Sequence, residues 1–214
     1  MKSFLCLLTA LLFFPFPDSA AEEKSGTEKA EVQFHFETGP PAWKGERILL
    51  PPGFARDLGW KGVEEIRFAP GMFRADKPDF FSYVLVFVLE PEADISGDGL
   101  RKELLTYYAG LSKAVMAGAG QTVETDDFTV EIEKADGTKK DAPEAALEAN
   151  AWTATLDWVE PFATKKRQTL HLEIHTWKHG DQPVVLSCVS PVDPGGDEEV
   201  WSALRKIRKT FRLE

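Results

Sequence analysis

The residues richest in potential chemistry fall in one short run, His171-Leu172-Glu173-Ile174-His175-Thr176-Trp177-Lys178-His179. Neutral imidazoles beside a carboxylate are good ligands for zinc or copper. Alternation along a strand puts His171, Glu173, His175, Trp177 and His179 on one face, with Leu172 and Ile174 on the other. The candidate metal set is therefore His171, Glu173 and His175. Spacing works against it. Residues four apart on a strand are about 13 Å apart, whereas metal–ligand bonds are about 2 Å. Only a neighbouring pair such as Glu173 and His175 could share an ion, with further ligands from an adjacent strand; Asp157 would serve if the register allowed. The plainer reading is the solvated polar face of a half-buried strand.

Other constellations are weaker. Asp94-x-Ser96-x-Asp98-Gly99 resembles the first half of a calcium loop, but position twelve is Leu105 where a bidentate Glu is needed, and Glu103 comes two places early. A helix start with Asp98 as N-cap explains the same residues. Cys188 invites a thiol-nucleophile reading, yet it lies in an apolar stretch, where thiols are buried and inert. No Gly-x-Ser-x-Gly elbow is present, and Gly118-x-Gly120 follows a helix when a nucleotide loop would open one. The pairs Glu64-Glu65 and Asp126-Asp127 point to opposite strand faces or lie in loops, and read as solvated charge. Near the C-terminus Arg205, Arg208, Lys209 and Arg212 stand outside an apolar helical stripe. They form a candidate docking patch for an acidic partner, or complement the helix dipole. Trp43, Trp60 and Trp152 would line a cleft or fill the core.

These groups need a scaffold, and its strongest signal is Asp79-Phe80-Phe81-Ser82-Tyr83-Val84-Leu85-Val86-Phe87-Val88-Leu89-Glu90. Both alternating faces are apolar, which places the run inside a sheet covered on both sides. Short strands are expected over 32–36, 47–50 and 63–68. A helix opens near Asp98, with Leu100, Leu104, Tyr108, Leu111 and Val115 as its stripe. Asp136-Gly137 marks a turn, and residues 137–149 read as a loop or a short extra helix. Four strands are expected at 128–133, 152–159, 169–177 and 183–189, the last two joined as a hairpin through Gly180-Asp181. A final helix spans 198–211, with Val200, Leu204, Ile207 and Phe211 inward. Runs of strands between single helices indicate an α+β fold: an antiparallel β-sheet packed by a mid-chain helix and a C-terminal helix. Both helices are expected on one face, with the Pro-rich loops around Pro51-Pro52 covering part of the other.

Residues 1–21 have the form of a signal peptide: Lys2, the apolar stretch Leu5 to Phe16, then Ser19 and Ala21 before a cut at Glu22. Residues 22–31 read as a flexible tether, and 32–214 as a single α+β domain. Removing the leader takes Lys2 and Asp18, so the formal net charge remains −10. That charge opposes nucleic acid and anionic membrane as main partners. No later stretch is apolar enough to span a bilayer. Cys6 departs with the leader, so Cys188 has no internal disulfide partner. The expected location is periplasmic or extracellular.

The order of elements resembles the fold shared by the PsbP, DcrB and Mog1 proteins. The tail carries the likeness: Val184-Val185-Leu186-Ser187-Cys188-Val189-Ser190-Pro191, an acidic loop, then Trp201 to Arg212. The stretches GVEEIRFAPGMF and DFFSYVLVFVLE also look like uncharacterised secreted bacterial proteins. The first resemblance implies a non-catalytic accessory or binding subunit and carries no site residues across. The functional expectation is a secreted or periplasmic non-catalytic protein that binds a protein or small-molecule ligand and has no cofactor. The alternatives are a metal-dependent enzyme using zinc or copper on the His171–His179 strand, and an apolar small-molecule carrier.

Overall fold

The computed structural model describes residues 32–39, 41–135, 142–144, 146, 148–195 and 198–214. The expected leader, the tether, the Asp136-Gly137 turn and part of 137–149 lie outside the described residues. Residues Gln33–Glu214 make up one structural unit.

Strands β2 (Lys44–Leu50), β3 (Gly62–Phe68), β4 (Tyr83–Leu89), β5 (Thr129–Lys134), β6 (Asn150–Val159), β7 (Arg167–His179) and β8 (Gln182–Ser190) form a seven-stranded antiparallel sheet in the order β2-β3-β4-β8-β7-β6-β5. Short β1 (Phe34–His35) and β9 (Arg212–Leu213) pair with each other outside that sheet. Two helices, α1 (Gly97–Gly118) and α2 (Glu198–Thr210), complete the α+β architecture. Every residue of β4 is buried, as are nearly all of β8, its hydrogen-bonded neighbour. This pair is the interior of the sheet, as apolarity on both faces of the central run requires.

Cross-strand partners share a face, so the register sorts the side chains. On one face, Leu85, Phe87 and Leu89 of β4 join Val185 and Val189 of β8, Leu172 and Ile174 of β7, and Leu156 and Trp158 of β6. Leu100, Leu104, Tyr107 and Tyr108 of α1 pack here, together with Ala55, Leu58 and Trp60 from the 51–61 loop. On the other, Val84, Val86 and Val88 align with Cys188, Leu186 and Val184, and these with Glu173, His175 and Trp177. Here α2 lies over β8 and β4, burying Val200, Trp201, Leu204, Ile207 and Phe211.

The expectation that both helices share a face is therefore corrected: they lie on opposite faces, and the proline-rich loop covers the same face as α1. A ribbon apolar on both sides cannot leave one side wet. Each buried Val, Leu or Phe contributes about 1.5–3 kcal/mol, so one helix takes each side. The strand beginning at Asp79 is also shortened. Phe80 and Phe81 belong to the preceding turn, where Phe81 adopts φ 49° and donates its N–H to Met72 O.

The start of α1 differs from expectation by two residues. Ser96 is the N-cap, accepting from Gly99 N at 3.2 Å, and Asp94 Oδ1 accepts from Ser96 N at 2.9 Å. Its buried stripe is Leu100, Glu103, Leu104, Tyr107, Tyr108, Ser112 and Met116, and Leu111 is only half-buried. The row Leu100, Leu104, Tyr108, Ser112 and Met116 faces the sheet, with Glu103 and Tyr107 beside it, so the expected step from Tyr108 to Leu111 leads to the edge of the buried face. Gly110 permits close approach of the 51–61 loop: a Cβ there would sit 2.4 Å from Phe54 O and 3.0 Å from Ala55 Cβ.

Candidate functional site

Glu173 stands on the α2 face of β7, opposite Cys188. The amphipathic pattern of α2 turns Leu204 and Ile207 onto the sheet, and Arg205 and Arg208 flank them. The Arg205 guanidinium donates to Glu173 Oε1 from Nη2 at 2.5 Å and from Nε at 3.1 Å. Arg208 Nη1 donates to Oε2 at 2.6 Å. Side-chain exposure is 17% for Glu173, 40% for Arg205 and 3% for Arg208. Burial pushes the Glu173 carboxyl up, but the two guanidinium groups outweigh it and hold it below its usual range. Both carboxylate oxygens are thus occupied by cations. The face read as solvated is covered by α2, as its packing on β8 and β4 and its two arginines on Glu173 show.

Cys188 is fully buried and its thiol donates to Leu204 O at 3.4 Å. Burial pushes that thiol up to about 12, so at neutral pH it is a packed neutral group. His175 is buried opposite Leu186, His171 is half-buried opposite Ser190, and His179 is exposed at the hairpin end. Asp157 lies opposite Thr169 and accepts from Arg167 Nε at 2.9 Å. Among the described residues, no group of three or more His, Cys, Asp or Glu side chains is placed to hold a metal ion.

The four cations read as one patch are divided by the structure. Arg208 is buried, and Arg205 is tied to Glu173. Lys209 is exposed, and Arg212 is 52% exposed with Nη2 3.5 Å from Glu37. The calcium-like run is also divided. Asp94 closes its turn on Ser96, Asp98 pairs with Arg101, and Glu103 turns inward to accept from Gly59 N at 2.6 Å. The three tryptophans do not line one cleft. Trp60 packs on Phe87 and donates to Asp94 O, Trp152 lies against Gly97, and Trp43 is half-buried near Thr38.

A second cluster was missed by sequence reasoning. Glu64 and Glu65, read as solvated, are 0% and 6% exposed. They do face opposite sides of the sheet. Glu65 is held by Arg47 Nε and Arg67 Nη1, both at 2.7 Å, and these guanidinium groups stack over Phe34 and Phe36. Glu64, on the α1 face, accepts from the Tyr107 hydroxyl at 2.8 Å. Burial pushes Glu64 up to about 8; the Tyr107 hydrogen bond opposes this and nearby Glu46 adds to it. Beside it, Tyr83 and Tyr108 share a hydrogen bond of 2.5 Å. The available signal was Tyr107-Tyr108, three and four residues after Leu104: two phenols on a core stripe need polar partners inside.

The 53–57 segment and α1 also bound an open cleft of about 470 Å³. Phe54, Ala109, Gly110 and Ala114 supply apolar lining, while Arg56, Asp57 and Lys113 stand at its sides. Its residue types can hold a molecule by contact and charge.

No family model matches this chain, and no curated protein matches it. A solved structure of LpqN, involved in cell envelope biogenesis of Mycobacterium tuberculosis, is similar at a TM-score of 0.28 and 9% identity, covering 85% of this chain and 91% of that one. At that level the likeness carries no argument about fold or function, and the resemblance to the PsbP, DcrB and Mog1 proteins gains no family match.

Proposed function

We propose that this is an exported, non-catalytic binding protein that works without a cofactor. The observation behind this reading is the fate of its reactive side chains. Glu173 is clasped between Arg205 and Arg208, and Cys188 is sealed under Leu204. Both serve to fix α2 on the sheet. The space between α1 and the sheet is filled by Phe81, Tyr83, Tyr107, Tyr108 and Trp158. This favours a surface ligand over one enclosed in the core. The 53–57/α1 cleft is the surface we assign to it, and its apolar lining, with the two cations Arg56 and Lys113 against the single carboxylate Asp57, suits a small anionic amphiphile. Lys209 and Arg212 are the outward cations offered to an acidic partner protein. Among the described residues no helix is long and apolar enough to cross a membrane.

Export predicts a mature chain beginning at Glu22 when the gene is expressed in a bacterial host; recovery of the intact chain in the cytoplasm alone would remove that part. For the site, NMR titration with decanoate should shift Phe54, Thr106, Ala109 and Lys113, and decyltrimethylammonium should not. Equilibration with zinc or copper, followed by elemental analysis, tests the competing enzyme reading. Stoichiometric metal that is lost in His175→Ala would favour a metal-dependent enzyme.

A further inference from the structure

We propose that Glu64 is a proton-operated latch: as a neutral acid it lets the 51–61 loop and α1 lie closed on the β2–β3–β4 corner, and release of its proton accompanies opening of that corner.

The geometry is that of an acid built for its neutral form. Glu64 is 0% exposed. Oε1 accepts from the Tyr107 hydroxyl at 2.8 Å, and Oε2 has no hydrogen-bond partner among the described residues. The titratable groups turned toward it are Glu46 from β2, Tyr83 from β4, and Tyr107 and Tyr108 from α1. Further along α1, Glu103 is engaged by Gly59 N and Lys102. The loop contributes rings: Phe54 meets Tyr107 edge-on at 5.1 Å, and Trp60 lies 5.1 Å from Phe87, the cross-strand partner of Glu64. None of the four groups facing Glu64 is a cation. An anion there would have one phenol donor and the repulsion of Glu46, shut away from bulk solvent. Burial accordingly pushes the carboxyl up to about 8.

To ionise, Glu64 must regain water, and its one donor, Tyr107, is itself packed under Phe54 of the loop. The loop is the cover that can lift, because it is a short irregular segment and the other neighbours are strands and a long helix. Phe54, Ala55 and Arg56 also form one wall of the cleft, so the latch controls whether that wall exists. The sign follows from linkage. The open state titrates near the ordinary value of 4.5 and the closed state near 8. Opening therefore grows about tenfold per pH unit between those values and levels off above about 8.

Hydrogen exchange of the exported protein, corrected for intrinsic rates, reads this directly. Protection of the 53–61 amides should fall about tenfold per pH unit between about pH 5 and about pH 8, then plateau. In Glu64→Gln it should be flat. In Tyr107→Phe, which removes a donor favouring the charged form, the plateau should move to higher pH. Protection independent of pH in the wild type, an unchanged slope in Glu64→Gln, or a plateau moved lower in Tyr107→Phe would each overturn the proposal. Should a variant fail to fold, the ¹³C carboxyl titration of wild-type Glu64 decides: a midpoint near 8 supports the latch, and one below about 5 refutes it.

Discussion

Removing Arg208 should destabilise this protein more than its short, ordinary-looking ion pair suggests. Its side chain is 3% exposed and its Nη1 lies 2.6 Å from Glu173 Oε2. Breaking a buried pair by deleting one partner costs about 3–5 kcal/mol, because a buried charge is left behind. In Arg208→Ala the carboxylate keeps Arg205, which is 40% exposed and partly screened. The loss should lie at the lower end, about 3 kcal/mol. For a domain of this size that corresponds to a fall in Tm of about 6–12 °C. Glu173→Gln strands the more deeply buried Arg208 cation and should cost more, about 4 kcal/mol. The double change Glu173→Leu with Arg208→Met removes both charges and should cost less than either single change. Urea unfolding followed by tryptophan fluorescence gives all three values, provided the m-value stays constant. The pH dependence supplies a second check. Glu173 is held below 4.5 in the fold, so its stabilisation is fully present above that value and is lost as pH falls through the lowered folded value. An Arg208→Ala loss under about 1 kcal/mol would mark the pair as a surface-type bridge and refute the reasoning. So would a double variant less stable than both singles.

Three further outcomes rest on particular groups. Cys188, buried and pushed up to about 12, should react with DTNB at the rate of global unfolding; reaction as fast as that of a free thiol would contradict its place under α2. Ser96→Ala should cost about 1 kcal/mol by orphaning the first turn of α1, while Asp98→Ala, at the position expected from sequence to be the cap, should change stability by less than half of that; thermal melts compare the two. Glu64 is raised from 4.5 to about 8 on folding, so the stability of the wild type relative to Glu64→Gln should be greatest below about pH 4.5 and decline by about 1.4 kcal/mol per pH unit up to about 8. Denaturant titrations at several pH values measure this difference, and parallel curves for the two proteins would exclude it.

The elements were legible where the physics is local. The doubly apolar run Val84–Leu89, the β7–β8 hairpin at Gly180-Asp181 and the inward stripe Val200, Leu204 and Ile207 of α2, with Phe211 buried just past its end, follow from periodicity and turn chemistry, and the structure has them. Position errors were small and also local. An Asx turn at Asp94 let Ser96 take the cap ahead of Asp98, and the backbone turn at Phe81 shortened β4. The candidate site was much less legible. Alternation correctly put Glu173 and His175 on one face, but a polar strand face reads as wet until something is known to lie on it.

Sequence by itself determined that the chain has an interior ribbon apolar on both sides, flanked by amphipathic helices, and that Glu64 and Glu65 point in opposite directions. Those statements need only the two-residue period of a strand and the 3.6-residue period of a helix. Tertiary structure decided which helix takes which face, and with it every electrostatic fact: that Arg205 and Arg208 reach Glu173 across 32 and 35 residues of chain, and that Glu64 is cut off from water beneath Tyr107. The charge state and reactivity of a carboxyl or thiol depend on its dielectric surroundings and on charges within a few ångströms. Those neighbours are supplied by distant segments, and no spacing along the chain encodes them.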